Sequence, residues 1–181
     1  MPEPHNPEAT PWLSVIGVGE NGLDGLSSTA RTLIAQAEYV FGGARHLGLV
    51  ASLPQGRCVA WPTPFSAGVQ QVLALRGHAV VVLASGDPFF YGVGGVLARS
   101  LEAGEMLCLP APSSVALACA RLGWAQEQCH VVSVCGRPMA RLRPFLQPRA
   151  CLIVLSADAQ TPRELARWLV ELGFGLSLIH I

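Results

Sequence analysis

Lysine is missing from this 181-residue chain, and all twelve cationic side chains are arginine. That absence excludes the phosphate-binding lysine of a P-loop, a pyridoxal Schiff base and a lysine general base. Aspartate is scarce too: only Asp24, Asp87 and Asp158 are available as ligand, cap or catalyst. The six cysteines, at 58, 108, 119, 129, 135 and 151, form no C-x-x-C pair and have no histidine at zinc-finger spacing. They read as small core residues, and no metal site is expected. Apolar runs such as residues 79–84 fall far short of the roughly 20 residues that cross a bilayer, so no membrane span is expected. Twelve acids balance the twelve arginines with no basic block, so a nucleic-acid partner is not expected. A G-x-S-x-G elbow is also lacking, which argues against a serine hydrolase.

What is present is a well-buried globule, 51% apolar and only 13% charged. Apolar runs of strand length alternate with stretches of helix length, the pattern of βαβ units and a mostly parallel sheet, so the fold class is α/β. Strands are expected at residues 12–16, 39–41, 79–84, 106–109, 130–134 and 151–155, several of them wholly apolar as doubly covered strands should be. Ser27 or Ser28 caps a helix running to Ala37, a second helix spans 93–101, and Ser113 or Ser114 caps a third over 115–122 that Gly123 ends. Thr161 is expected as the N-cap of a last helix, with Pro162 at its first position and Gly173 at its end. Pro110 and Pro112 forbid both helix and central strand, which puts a domain boundary there: an N-terminal lobe of 12–110, a second lobe of 111–175, and a ligand crevice between them. Residues 1–11 read as a disordered tail without the charge and apolar core of a signal peptide, which points to the cytoplasm and reduced thiols. The final hexapeptide, Leu176-Ser177-Leu178-Ile179-His180-Ile181, is also the translation of a transposon-end adapter used in sequencing libraries. Residues 176–181 are therefore expected to be an artefact, with the natural chain continuing beyond Gly175.

Three loops carry the chemistry. Gly17-Val18-Gly19-Glu20-Asn21-Gly22 is literally G-x-G-x-x-G after a strand and raises an NAD(P)-dependent Rossmann oxidoreductase as an alternative. A dinucleotide site needs its third glycine inside a helix and an acid ending the second strand. Here Asn21-Gly22-Leu23-Asp24-Gly25 prolongs the loop, no helix can start before about Ser27, and Glu38 precedes the second strand. The second loop, Ser85-Gly86-Asp87-Pro88-Phe89-Phe90-Tyr91-Gly92, leaves the carboxyl end of an apolar strand, where ligands of open α/β sheets bind; Asp87 is either a ligand contact or a turn residue. The third, Pro110-Ala111-Pro112-Ser113-Ser114, offers amides and hydroxyls at a helix N-terminus.

Taken in order, these segments resemble the tetrapyrrole (corrin and porphyrin) methylases. Gly17-Val18-Gly19 with Leu26-Ser27 is similar to the first family motif, Ser85-Gly86-Asp87-Pro88 with Tyr91-Gly92 to the second, and residues 110–114 to the third. Within the family, Phe41-Gly42-Gly43-Ala44-Arg45-His46-Leu47, Arg121-Leu122-Gly123-Trp124 and Gly136-Arg137-Pro138 resemble the branch that methylates a precorrin at C5 in cobalamin synthesis. Pro110-Ala111 stands where the family usually has proline-glycine, and Cys135 where a histidine often precedes glycine-arginine. The proline-alanine-proline form is similar to that of fused two-domain enzymes, which implies a C15-methylating and decarboxylating domain in the natural product and leaves the second lobe here incomplete.

The resemblance implies a two-lobed fold and an S-adenosylmethionine-dependent C-methyltransferase acting on a precorrin or cobalt-precorrin. It assigns the donor to Gly86, Asp87, Pro88, Tyr91, Gly92, Ser113, Ser114, Gly136 and Arg137. Gly17, Gly19 and Arg45 are assigned to the tetrapyrrole, whose carboxylates suit arginine. His46 is a candidate to remove a proton after transfer. A homo-oligomer is also implied. The alternatives are the nicotinamide oxidoreductase and a non-catalytic fragment or binding module.

Overall fold

A computed structural model describes residues 11–180. The expected disordered tail, apart from Pro11, and the last residue of the expected artefact lie outside the described residues. The chain forms two compact units, one ending at Ser114 and the other beginning at Val115.

The first unit is a five-stranded, wholly parallel sheet in the order β3-β2-β4-β1-β5. Its strands are β1 (Leu13–Val18), β2 (Tyr39–Gly42), β3 (Arg57–Ala60), β4 (Val80–Ser85) and β5 (Met106–Leu109), and α1 (Ser28–Gln36), α2 (Ala44–Leu49), α3 (Phe65–Leu73) and α4 (Val93–Leu97) connect them. Parallel strands need right-handed crossovers. The two leftward steps, β1 to β2 and β2 to β3, therefore put α1 and α2 on one face, and the two rightward steps put α3 and α4 on the other. The core divides accordingly. Ile16, Val18, Val40, Val81 and Leu83 point toward Ala30, Ile34 and Val50, whereas Leu13, Val15, Phe41, Val80 and Val82 pack with Val69, Val72 and Leu97. Successive residues of β1 and β4 thus serve opposite faces, which is why both strands are apolar almost throughout.

Sequence and structure differ in a few places. The edge strand β3 escapes detection because three of its four residues are exposed. The second expected helix keeps α geometry only to Leu97 and tightens into a 3-10 turn over Ala98–Ser100. The boundary expected at Pro110 falls after Ser114, because the Ala111 N–H donates to the Gly86 carbonyl at 3.0 Å and ties the proline turn to the first unit.

The second unit holds α5 (Ser114–Leu122) from Val115 onward, the parallel pair β6 (Cys129–Ser133) and β7 (Cys151–Leu155), and α6 (Thr161–Glu171). Val132, Val134 and Leu142 form its core with Leu165 and Trp168 against them. Thr161 is not the N-cap of α6: it is the first helical residue. Asp158 does the capping, its Oδ1 accepting from the N–H groups of Gln160 and Thr161, both at 2.9 Å. Its carboxyl is held below its usual value by the Thr161 N–H first, then by the Thr161 hydroxyl and the Gln160 N–H. Thr161 Oγ1 in turn accepts from the Ala157 and Asp158 N–H groups. No helix among the described residues is long and apolar enough to cross a membrane.

Candidate functional site

Beyond the carboxyl ends of β1 and β4 the chain leaves in opposite directions, toward α1 on one face and α4 on the other. Adjacent strands that part this way open a crevice between their ends, the usual ligand position in open α/β sheets. Three of the loops singled out by sequence meet at this place. Val18 pairs with Ser85 and Ile16 with Leu109, so Gly17 lies between the start of the Ser85–Gly92 loop and the start of the proline turn. The closeness is steric: a Cβ at Gly17 would stand 1.8 Å from the Gly86 carbonyl oxygen and 2.5 Å from Ala111 N. Gly17 is buried, so its part is to let three strand ends converge. Gly19, by contrast, has open space around its Cβ position.

The same contacts speak against a dinucleotide. Space that a pyrophosphate would need beside Gly17 is filled by backbone, Gly22 sits at φ +53° in a 3-10 turn, and α1 begins only at Ser28. Ser27 caps that helix, its hydroxyl accepting from the Ala30 N–H at 3.1 Å.

In the second loop, Gly86 takes φ +54°, and a Cβ there would come within 2.9 Å of the Pro112 carbonyl oxygen. Asp87 closes an Asx turn: its Oδ1 accepts from the Phe89 N–H at 2.8 Å while its carbonyl accepts from the Phe90 N–H. The turn drives the chain to Tyr91, whose φ of 55° is costly for a side chain with a Cβ, about 1–3 kcal/mol. Gly92 and Gly94 then lie over the Pro88 carbonyl, which accepts from the Gly94 N–H at 2.9 Å. Phe89 and Tyr91 are 51% and 55% exposed, and Tyr91 meets Phe90 edge to face. Aromatic surface held outward by a strained, glycine-pinned loop is poorly explained by packing, and it suits a flat apolar ligand.

Helix α2 brings a further group to the same end. His46 Nε2 lies 2.9 Å from the Ser85 Oγ. Burial first, then the Arg45 charge, push the His46 pKa below its ordinary value, and Glu20 opposes them. Arg45 itself is paired with Glu20 at 2.5 Å on the loop after β1. A substrate carboxylate reaching Arg45 would therefore compete with Glu20. Neither Ser85 nor Glu20 was singled out by sequence as a site residue. Ser85 carried a signal nonetheless, as the first polar residue to end the apolar run of β4. Burial, with the Asp87 charge second, raises the Cys108 thiol pKa on β5, so that thiol stays protonated near neutrality.

Ser113 and Ser114 complete the turn beside Gly86, while Gly136 and Arg137 follow β6 in the second unit. Gly136 takes φ +63° with open space at its Cβ position, and both residues are exposed. Cys135, where the resembling family often has histidine, lies 3.1 Å from the Ser156 carbonyl oxygen through its thiol.

The profile of the tetrapyrrole (corrin/porphyrin) methylases matches residues 13–177. A precorrin-6Y C(5,15)-methyltransferase (decarboxylating) from Sinorhizobium sp. is 51% identical over 95% of this chain, which spans 42% of that relative's length. A cobalt-precorrin-7 C(5)-methyltransferase from Salmonella typhimurium is 31% identical over 93% of this chain and 83% of its own. Among solved structures, the cobalamin-biosynthesis precorrin-6Y methylase of Archaeoglobus fulgidus superposes with a TM-score of 0.64 at 26% identity, over 84% of this chain and 76% of that one.

Proposed function

From the premise that the chain belongs to the tetrapyrrole (corrin/porphyrin) methylases, we propose that it transfers a methyl group from S-adenosylmethionine to C5 of a precorrin or cobalt-precorrin. The observation that carries this reading is the convergence of the three motif loops on Gly17 at the parting of β1 and β4. The carbon is argued from the relatives: the chain spans 83% of one named for C5 alone and 42% of one named for C5 and C15. We therefore read it as the C5-methylating part of a protein that continues into a second activity.

The residues suit the donor. S-adenosylmethionine supplies an electrophilic methyl on a cationic sulfonium. The loops at 85–92 and 110–114 contain one carboxylate, Asp87, and no cation, so they attract such a group rather than repel it. In this reading the backbone of Gly86, Pro88 and Gly92, with Tyr91, Ser113 and Ser114, holds and orients the donor. Methyl transfer is an in-line displacement that asks the protein chiefly for alignment and exclusion of water. No covalent residue is needed, in keeping with a lysine-free chain. In the same reading Phe89 and Tyr91 present apolar faces to the macrocycle.

Incubation of the purified chain with methyl-labelled S-adenosylmethionine and either precorrin-6Y or cobalt-precorrin-7 tests the proposal. The tetrapyrrole should gain one labelled methyl, located at C5 by NMR. Label at another carbon would correct the site of transfer, and no label with either substrate would refute the activity for this chain.

A further inference from the structure

Resting on that reading, we propose that Ser85 and His46 form a proton-accepting pair which takes up the proton the macrocycle releases on methylation. Ser85 is the last residue of β4, exposed, and directly precedes Gly86 and Asp87. Its hydroxyl lies 2.9 Å from Nε2 of a histidine 39 positions earlier in the chain. Helix α2, which carries His46, packs against β2 and β4.

Chemistry asks for such a group. When the nucleophilic ring carbon forms its bond to the methyl, the carbon–sulfur bond breaks with its electron pair going to sulfur. The donor becomes a neutral thioether, and the macrocycle is left with one positive charge that it sheds as a proton from ring nitrogen or carbon. Ser85 Oγ accepts that proton as its own passes to His46 Nε2, and the imidazolium then gives it to solvent. The balance needs no oxidant or further reactant. This route requires neutral His46 with its hydrogen on Nδ1. Of the charges around it, Arg45 on its own helix disfavours protonation and Glu20 on the loop after β1 favours it. Asp24 lies on the exposed 3-10 turn that packs against α2, while Tyr39 and Arg57 stand at the amino ends of β2 and β3, three positions before the strand ends near His46. Burial adds to the effect of Arg45, so the ring is ready as a base near neutrality.

The test compares wild type with His46→Gln, Ser85→Ala and Ser85→Thr. Methyl transfer is followed at saturating donor and precorrin from about pH 5 to about pH 9, with S-adenosylhomocysteine affinity measured on the same samples. The expectation is a fall in kcat of roughly 100-fold or more for His46→Gln at neutral pH, with analogue affinity within about twofold. The acid limb of the wild-type kcat profile should vanish in that variant. Ser85→Thr, which keeps the hydroxyl, should recover most of the activity that Ser85→Ala loses. A merely structural tie between α2 and β4 would move neither the pH limb nor the threonine rescue. Unchanged kcat and pH profile in folded His46→Gln, or a Ser85→Thr variant no better than Ser85→Ala, overturns the pair while leaving the methyl-transfer reading intact. If His46→Gln does not fold, the two serine variants decide. A wild type inactive on both precorrins overturns both readings.

Discussion

Gly17→Ala places a methyl group where the Gly86 carbonyl oxygen and Ala111 N now are, at 1.8 and 2.5 Å from the new Cβ. All of the obstructing atoms are backbone, so no rotamer change relieves the clash. Either β1 moves or the loops after β4 and β5 do. Moving the loops puts two hydrogen bonds at risk, Ala111 N–H to Gly86 O at 3.0 Å and Gly86 N–H to Val18 O at 3.2 Å. Each contributes about 0.5–1.5 kcal/mol, and overpacking adds about 1–3 kcal/mol. The expected loss is thus about 2–6 kcal/mol, large against a domain stability of about 5–15 kcal/mol. Gly19→Ala is the matched control: its Cβ meets nothing within 4 Å and its φ is not positive, so it should change stability by less than about 0.5 kcal/mol. Urea denaturation followed by circular dichroism gives both values. Equal midpoints for the two variants would refute the argument that Gly17 is kept small by the converging strand ends.

Three further outcomes follow from named contacts. Asp87→Asn keeps an acceptor for the Phe89 N–H and removes only the charge, so it should preserve the loop while weakening the cationic donor more than its neutral product; isothermal titration with both ligands, set beside Asp87→Ala, separates charge from turn geometry. Glu105 accepts from Trp12 Nε1, Arg76 and the Glu102 N–H; although burial pushes its carboxyl up, these partners hold it below the ordinary 4.5. Its contribution is therefore complete above about pH 4.5 and disappears as pH falls through the depressed folded value, so Glu105→Gln should flatten the acid end of a stability-against-pH curve. Thr161→Val, at a residue 4% exposed, removes the acceptor of two N–H groups and should lower the unfolding free energy by about 1–2 kcal/mol in urea.

The parallel α/β pattern, six of the seven strands among the described residues and the loops that matter were legible from apolar runs and from glycine and proline placement. Their meeting point was not. That Gly17 touches both Gly86 and Ala111 depends on β1 lying between β4 and β5, an order that no local pattern encodes. The His46 to Ser85 bond is hidden for the same reason, since it follows from β2 and β4 being neighbours. Edge strand β3 is obscure because an exposed strand has no need of an apolar pattern. Asp158 was passed over as the cap of α6 because Thr161-Pro162 reads as a complete start signal, while the capping carboxylate reaches in from three residues earlier.

The central claim, that three strand ends build a donor site for S-adenosylmethionine chemistry, is tested most directly by calorimetric titration of S-adenosylhomocysteine and NAD into the folded chain. Saturable binding of S-adenosylhomocysteine, weakened by Gly17→Ala and unaffected by Gly19→Ala, with no heat from NAD, is the predicted result. Binding of NAD alone, or of neither ligand by a sample that circular dichroism shows to be folded, would contradict it.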